Sequence, residues 1–311
     1  MAPTYVLHQK PPAISAWLRL VAWRDLPLLL GIQLMLALTL AVISDIAISN
    51  NAVLLLALGQ LFVVVYLSIT SWVKISRTAT SRGFNQLGVA NKITLIRGMI
   101  YGHILSISPL AFISFNNGGG IALTVQWWVV LLFISALLTD LADGQVARRL
   151  GETSAIGAQL DPEMDALGVL AALTWLIARG VLPLVAIVMG LLFVAYKLAL
   201  LGYRLKGFVP RDLPDRASRA WLGVTQVVFL VSLMVPLESL TVGADIVAQV
   251  FTGEALTLAT HQALQHSMTV LQQVLLVGFV LSSTGVLVSF GVDLRHQLMA
   301  PVRSGHRVSH H

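Results

Sequence analysis

Cysteine is absent from all 311 residues, which excludes disulfides, zinc–thiolate sites and thiol nucleophiles. Charge is scarce too: only 11% of residues are Asp, Glu, Lys or Arg, where a soluble domain carries about 25%. No internal repeat or low-complexity tract occurs. No basic helix or aromatic–basic ladder accompanies the net charge of +6, so nucleic acid is not an expected partner. Apolar residues take the remaining space, at 57% of the chain, and they fall in runs long enough to cross a bilayer, which takes about 20 residues. The basic residues then belong in cytoplasmic loops facing anionic membrane lipid. The expected fold class is all-α, a polytopic transmembrane helical bundle, because only helices and closed barrels satisfy the backbone within lipid.

Eight spans can be read, at 26–43, 52–73, 92–115, 121–148, 156–178, 181–203, 221–240 and 268–294. The charges between them test the count. No Lys or Arg lies in 44–51, 116–120 or 241–267, and the link around Gly180 has only Arg179. Lys74, Arg77, Arg82 and Lys92 share one connection and Arg148 with Arg149 another. Arg204, Lys206, Arg211, Arg216 and Arg219 fill a third, and Arg295, Arg303 and Arg307 follow the last span. The alternation predicts a multi-pass protein of the inner (cytoplasmic) membrane with both termini cytoplasmic. Met1 to Asp25 mixes Lys10, Arg19 and Arg24 with Trp17 and Trp23 and lacks a cleavage-site pattern, so it reads as an interfacial segment and not a signal peptide. The expected organisation is an interfacial segment plus two extra spans (1–90), a six-span body (91–295) and a polar tail (296–311). The Asn116–Gly120 turn reads as a tight outer hairpin, and 241–267 as an apolar-leaning outer loop with room for a short interfacial helix.

Four carboxylates stand out against this apolar background. Asp140, Asp143, Asp161 and Asp165 fall at the cytoplasmic ends of predicted spans, and intramembrane acids mark a functional site by default. Asp140 and Asp143 are three apart, and Gly144, Ala147 and Arg148 continue their face. Gly157, Asp161 and Asp165 repeat every fourth residue along the next helix. The short link 149–156 makes the two helices antiparallel neighbours, so both stripes can face one cavity. Carboxylates gathered this way repel unless cations are present. Hard divalent ions suit them, Mg²⁺ or Mn²⁺, and a pair of ions is a known clamp for phosphoryl displacement. Zinc and copper fit poorly without cysteine. Gly144, Ala147 and Gly157 leave room for a flat nucleotide, and Arg148 offers a fork to a pyrophosphate oxygen pair.

The run Asp140-Leu-Ala-Asp143-Gly144-Gln-Val-Ala147-Arg148, followed after eight residues by Gly157 and then by Asp161 and Asp165, resembles the signature of the CDP-alcohol phosphotransferase family at all eight fixed positions. Asn91-Lys-Ile-Thr94-Leu-Ile-Arg97 is similar to the family's first-helix pattern. The resemblance covers the six-span body and implies an enzyme that moves a phosphate-linked alcohol from a CDP-alcohol to an acceptor alcohol and releases CMP. It implies that Asp140, Asp143 and Asp161 hold metal and that Asp165 completes a two-metal site or serves as the base. It also implies that Asp143, Gly144, Ala147, Arg148 and Gly157 bind CDP, that Thr94 contacts the nucleotide or phosphate, and that the enzyme is a homodimer working in phospholipid biosynthesis. CDP-diacylglycerol is the expected donor, since the cavity opens at a bilayer. The Leu160-Asp161-Pro162 step resembles phosphatidylglycerophosphate-type members, whereas Glu163-Met164-Asp165-Ala166-Leu167 departs from them, leaving glycerol phosphate and other polar or lipid alcohols open as acceptor.

Simpler roles compete for the other charged residues. Thr94 and Arg97 share a helical side near the cytoplasmic entrance, where Arg97 either snorkels to headgroups or contributes to ligand binding. Arg97, Lys197, Arg216 and Arg219 are candidate acceptor-binding residues, with snorkelling or positive-inside anchoring as the simpler reading. Asp45 reads as a loop charge, His261 and His266 as outer-loop histidines, and Trp127, Trp128 and Trp175 as packing or interfacial residues. A cation-coupled transporter would also bury carboxylates, but near the midplane and on repeated halves.

Overall fold

The computed structural model describes residue 31 and residues 89–116, 121–150, 157–205, 208–209, 217–298 and 302–303. The expected spans 26–43 and 52–73, the 117–120 turn and most of the 74–91 connection lie outside the described residues. Among the described residues from 89 on, seven helices follow in order: α1 (Val89–Asn116), α2 (Leu123–Leu150), α3 (Gly157–Ala178), α4 (Ile187–Leu205), α5 (Ala217–Met234), α6 (Glu238–Thr252) and α7 (Leu258–Leu298). A short 3₁₀ turn at Leu184–Ala186 precedes α4. Phe208–Val209 (β1) pairs antiparallel with Val302–Arg303 (β2), the one strand pair among the described residues.

Lys92–Ile113, Leu123–Asp140 and Leu258–Leu298 are long and apolar enough to cross a membrane, and the bent pair Trp221–Met234 and Glu238–Thr252 adds a fourth candidate. Leu184–Leu200 is a shorter apolar stretch. The protein is thus a helical membrane protein. Polar side chains inside the helices bond back to their own backbone, as lipid demands. Ser106 Oγ donates to Gly102 O at 2.9 Å, Ser108 Oγ to Ile104 O at 2.8 Å, and Thr139 Oγ1 to Ala136 O at 2.7 Å.

The described residues fall into two compact units, one within Met1–Ser114 and Leu131–Ala171, the other within Phe115–Val130 and Ala172–His311. The first is built from α1 up to Ser114, α2 from Leu131 on and α3 as far as Ala171. Met99 packs on Met164 and Leu167, and the Tyr101 ring lies 5.4 Å from that of Phe133. Gly168 makes room for Tyr101: a Cβ there would sit 2.8 Å from the phenol ring. Such contacts matter because lipid tails are as apolar as the side chains, so close fit and not water exclusion drives the packing.

The second unit contains an antiparallel seam between α5 and α7. Phe229 lies over Gly278 and Leu222 over Gly285, so two glycines seven residues apart receive two large side chains at the same spacing. Between them Gln226 Nε2 donates to Ser283 Oγ at 3.3 Å. Tyr196 of α4 reaches Gln297 Oε1 of α7 at 2.5 Å, and its ring meets Phe290 edge-on at 5.3 Å.

Helix ends follow local chemistry. After α3, Gly180 takes φ 71°, Val181 N–H bonds Leu176 O and Gly180 N–H bonds Ile177 O, the paired closure a left-handed residue allows. Arg179, the lone cation of that link, is not a sidedness signal. Its Nη1 donates to Met234 O at 2.9 Å and its Nη2 to Glu238 Oε1 at 3.3 Å. It thereby satisfies an orphan carbonyl where α5 ends and pairs with the first turn of α6. Burial pulls the Arg179 guanidinium below its usual range, and Glu238 opposes the shift.

Two expectations need correction. The span read at 221–240 is interrupted: α5 ends at Met234, Pro236 cannot continue it, and α6 leaves at 53°. The stretch 241–267, read as an outer loop with room for one short helix, holds more helix than that, since α6 runs to Thr252 and α7 starts at Leu258. Only the turn at Gly253, with φ 75°, and the few residues after it separate them, and Leu256 N–H bonds Asp245 Oδ1 there at 2.9 Å. With 41 residues α7 is ~61 Å long, about twice the hydrocarbon thickness, so it continues beyond the span read at 268–294.

Candidate active site

Arg97 sits two turns into α1, on the side that also carries Thr94, and both are buried, Arg97 with no exposed surface. α2 carries Asp140 and α3 carries Asp161 and Asp165, and all three carboxylates meet the Arg97 guanidinium. Its Nη1 pairs with Asp140 Oδ1. Its Nη2 donates to Asp161 Oδ1 at 3.4 Å and stands 3.8 Å from Asp165 Oδ1. The acids are far from buried: their side chains are 44%, 48% and 64% exposed in that order. The site therefore has a buried positive floor and an open acidic rim, all within one compact unit.

Local sequence explains the convergence. Asp161 and Asp165, four apart, point from the same side of α3, and Met164 between them is fully buried against Met99 of α1. That contact and the Gly168–Tyr101 approach hold α3 close enough to α1 for one guanidinium to reach both acids. Asp140 lies four residues after Ala136, which is buried in the same unit.

Of the residues singled out in the sequence, the structure brings together Asp140, Asp161, Asp165 and Arg97. Asp143, Gly144, Ala147 and Arg148 continue α2 along the expected stripe, and Gly157 opens α3; their side chains lie outside the described set. Lys197 is on α4 and Arg219 in the first turn of α5, in the other unit, likewise without described side chains; Arg216 lies outside the described residues. Arg97 is the correction. Its side chain is fully buried with three carboxylate neighbours and does not reach out to headgroups. The signal was available as charge arithmetic: clustered acids need a compensating cation, and Arg97 is the basic residue set deepest in α1.

The donor set suits a hard divalent ion. It is all carboxylate oxygen, presented on an open rim from two helices. With the guanidinium among them, no three acidic or histidine groups of the described residues close into a metal-holding geometry.

The family model of the CDP-alcohol phosphatidyltransferases matches residues 87–288, well over half of the chain. An Arabidopsis thaliana protein, CDP-diacylglycerol--glycerol-3-phosphate 3-phosphatidyltransferase 2, is 41% identical over 68 residues, which make up 21% of this chain and 28% of that protein. The chain thus aligns with little more than a quarter of that relative's length. No solved structure matches. The family match takes in α1, α2 and α3 whole, and with them the buried arginine and all four signature aspartates. The chain belongs to the CDP-alcohol phosphatidyltransferase family.

Proposed function

We propose that this protein is a membrane enzyme of phospholipid biosynthesis that transfers a phosphatidyl group from CDP-diacylglycerol to an acceptor alcohol and releases CMP. The observation that carries the proposal is the meeting of Asp140, Asp161 and Asp165, from two helices, over one buried arginine. The family match and the activity for which the Arabidopsis relative is named support the donor class.

Asp140, Asp143, Asp161 and Asp165 would hold two ions, Mg²⁺ or Mn²⁺. When bound, such ions offset charge on the diphosphate and on the leaving CMP. Cytidine would lie against Gly144, Ala147 and Gly157, with Arg148 and Thr94 at the phosphates. Asp165 accepts the proton of the acceptor hydroxyl. The hydroxyl oxygen forms a bond to the β-phosphorus in line, the bond from that phosphorus to the bridging oxygen breaks, and the bridging oxygen leaves with CMP. Asp165 is the most exposed of the three described acids and the farthest from Arg97, so it is best placed to meet an incoming acceptor. Lys197, Arg216 and Arg219 are proposed to attract an acidic acceptor. The fold is read as eight spans with both termini and the active site cytoplasmic, and the enzyme as a homodimer.

The test uses the purified full chain with Mg²⁺, CDP-diacylglycerol and a panel of polar alcohols headed by glycerol 3-phosphate. CMP release with one acceptor, and the matching new lipid by mass spectrometry, is the expected result. No CMP with any acceptor would overturn the enzymatic reading and return the carboxylates to a transport role.

A further inference from the structure

The carboxylates that would hold the ions already share a cation supplied by the chain. Arg97 has no exposed surface, so water cannot hydrate its charge and the three carboxylates compensate it instead. The reverse dependence follows. Asp140, Asp161 and Asp165 would repel one another and spread apart if no cation lay between them. A divalent ion leaves and returns, but a side chain fixed in α1 stays. The fork of a guanidinium suits the task, because Nη1 serves the acid of α2 while Nη2 serves both acids of α3.

We infer that Arg97 is a built-in counter-cation, which holds Asp140, Asp161 and Asp165 converged while the divalent ions are absent and shares them when the ions bind. The inference rests on the metal reading of the site proposed above. Arg97 is then a positioning residue: it acts through the carboxylates, and its worth is greatest in the metal-free protein. A side chain needed only for packing would matter equally with and without metal.

Thermal unfolding of the full chain in detergent, in EDTA and in saturating MnCl₂, separates the two. Arg97→Gln should lower Tm by roughly 10 °C in EDTA, and Mn²⁺ should recover more than half of that loss. Arg97→Lys keeps the charge but loses the fork, so it should show a smaller loss with the same metal dependence. Adding Asp140→Asn to Arg97→Gln removes one of the stranded negative charges and should raise Tm in EDTA above that of Arg97→Gln alone. An equal loss in EDTA and in Mn²⁺, or none in EDTA, would overturn the counter-cation. If Arg97→Gln yields no folded protein, the same comparison on Arg97→Lys decides. A wild-type Tm indifferent to Mn²⁺ would sink the metal reading and the sharing with it. A wild-type Tm that rises with Mn²⁺, beside a metal-independent loss in Arg97→Gln, would sink the counter-cation alone.

Discussion

Replacing Asp165 with Asn should cut CMP release by about 10³-fold, within the span usually lost with a general base, while CDP and Mn²⁺ still bind. The amide keeps the size of the carboxyl group and one acceptor oxygen, but it cannot take up the acceptor's proton. Position supports the choice of Asp165 over its neighbours. Its side chain is 64% exposed against 44% for Asp140 and 48% for Asp161, and its 3.8 Å separation from Arg97 leaves it less neutralised than Asp161 at 3.4 Å. An unperturbed aspartate has a pKa near 3.9 and is a weak base at neutral pH, so the assignment rests on where Asp165 stands. Measuring turnover beside CDP and Mn²⁺ affinity checks the assignment. If affinity and turnover fall together, Asp165 is a ligand and not the base.

Chelation should have the other large effect. Stripping the purified enzyme with EDTA should lower CMP release by at least about a thousandfold, because several kcal/mol of charge stabilisation are lost and each 1.36 kcal/mol is a factor of ten. Excess Mg²⁺ or Mn²⁺ should restore it. The charge balance explains the size. A diphosphate would meet four aspartates, and Arg97 brings one positive charge against them from beneath the rim. Arg148 adds a second at most. Activity that survives exhaustive chelation would mean that the carboxylates act without ions, as bases or as a structural collar.

The fold was partly legible in the sequence, and the reasons differ by element. The stretches read at 92–115, 121–148 and 156–178 correspond to Val89–Asn116, Leu123–Leu150 and Gly157–Ala178, because hydropathy runs and breakers such as Gly180 mark them locally. The break at Pro236 and the bent helix after it were not legible. The segment 241–252 is too short for a span of its own, and its helix is tied to the rest of its unit by Arg179, whose bonds to Met234 and Glu238 are long-range. The same limit applied to the site. Asp161 and Asp165 share a stripe that can be counted along one helix. The arginine beneath them is 64 residues from Asp161, and a lone basic residue near the end of a span looks like a headgroup anchor until the packing of Met99 on Met164 is known. The eight-span count, the two amino-terminal spans and the acceptor residues rest on the sequence pattern and on the proposal.

Mn²⁺ binding to the purified full chain, followed by electron paramagnetic resonance with and without CDP, tests the convergence of the carboxylates most directly. Saturable binding that tightens with CDP, and that Asp161→Asn weakens at least about tenfold as expected for loss of one carboxylate ligand, is the result the arrangement requires. Mn²⁺ that binds Asp161→Asn as tightly as the wild type, or that ignores CDP, would contradict it.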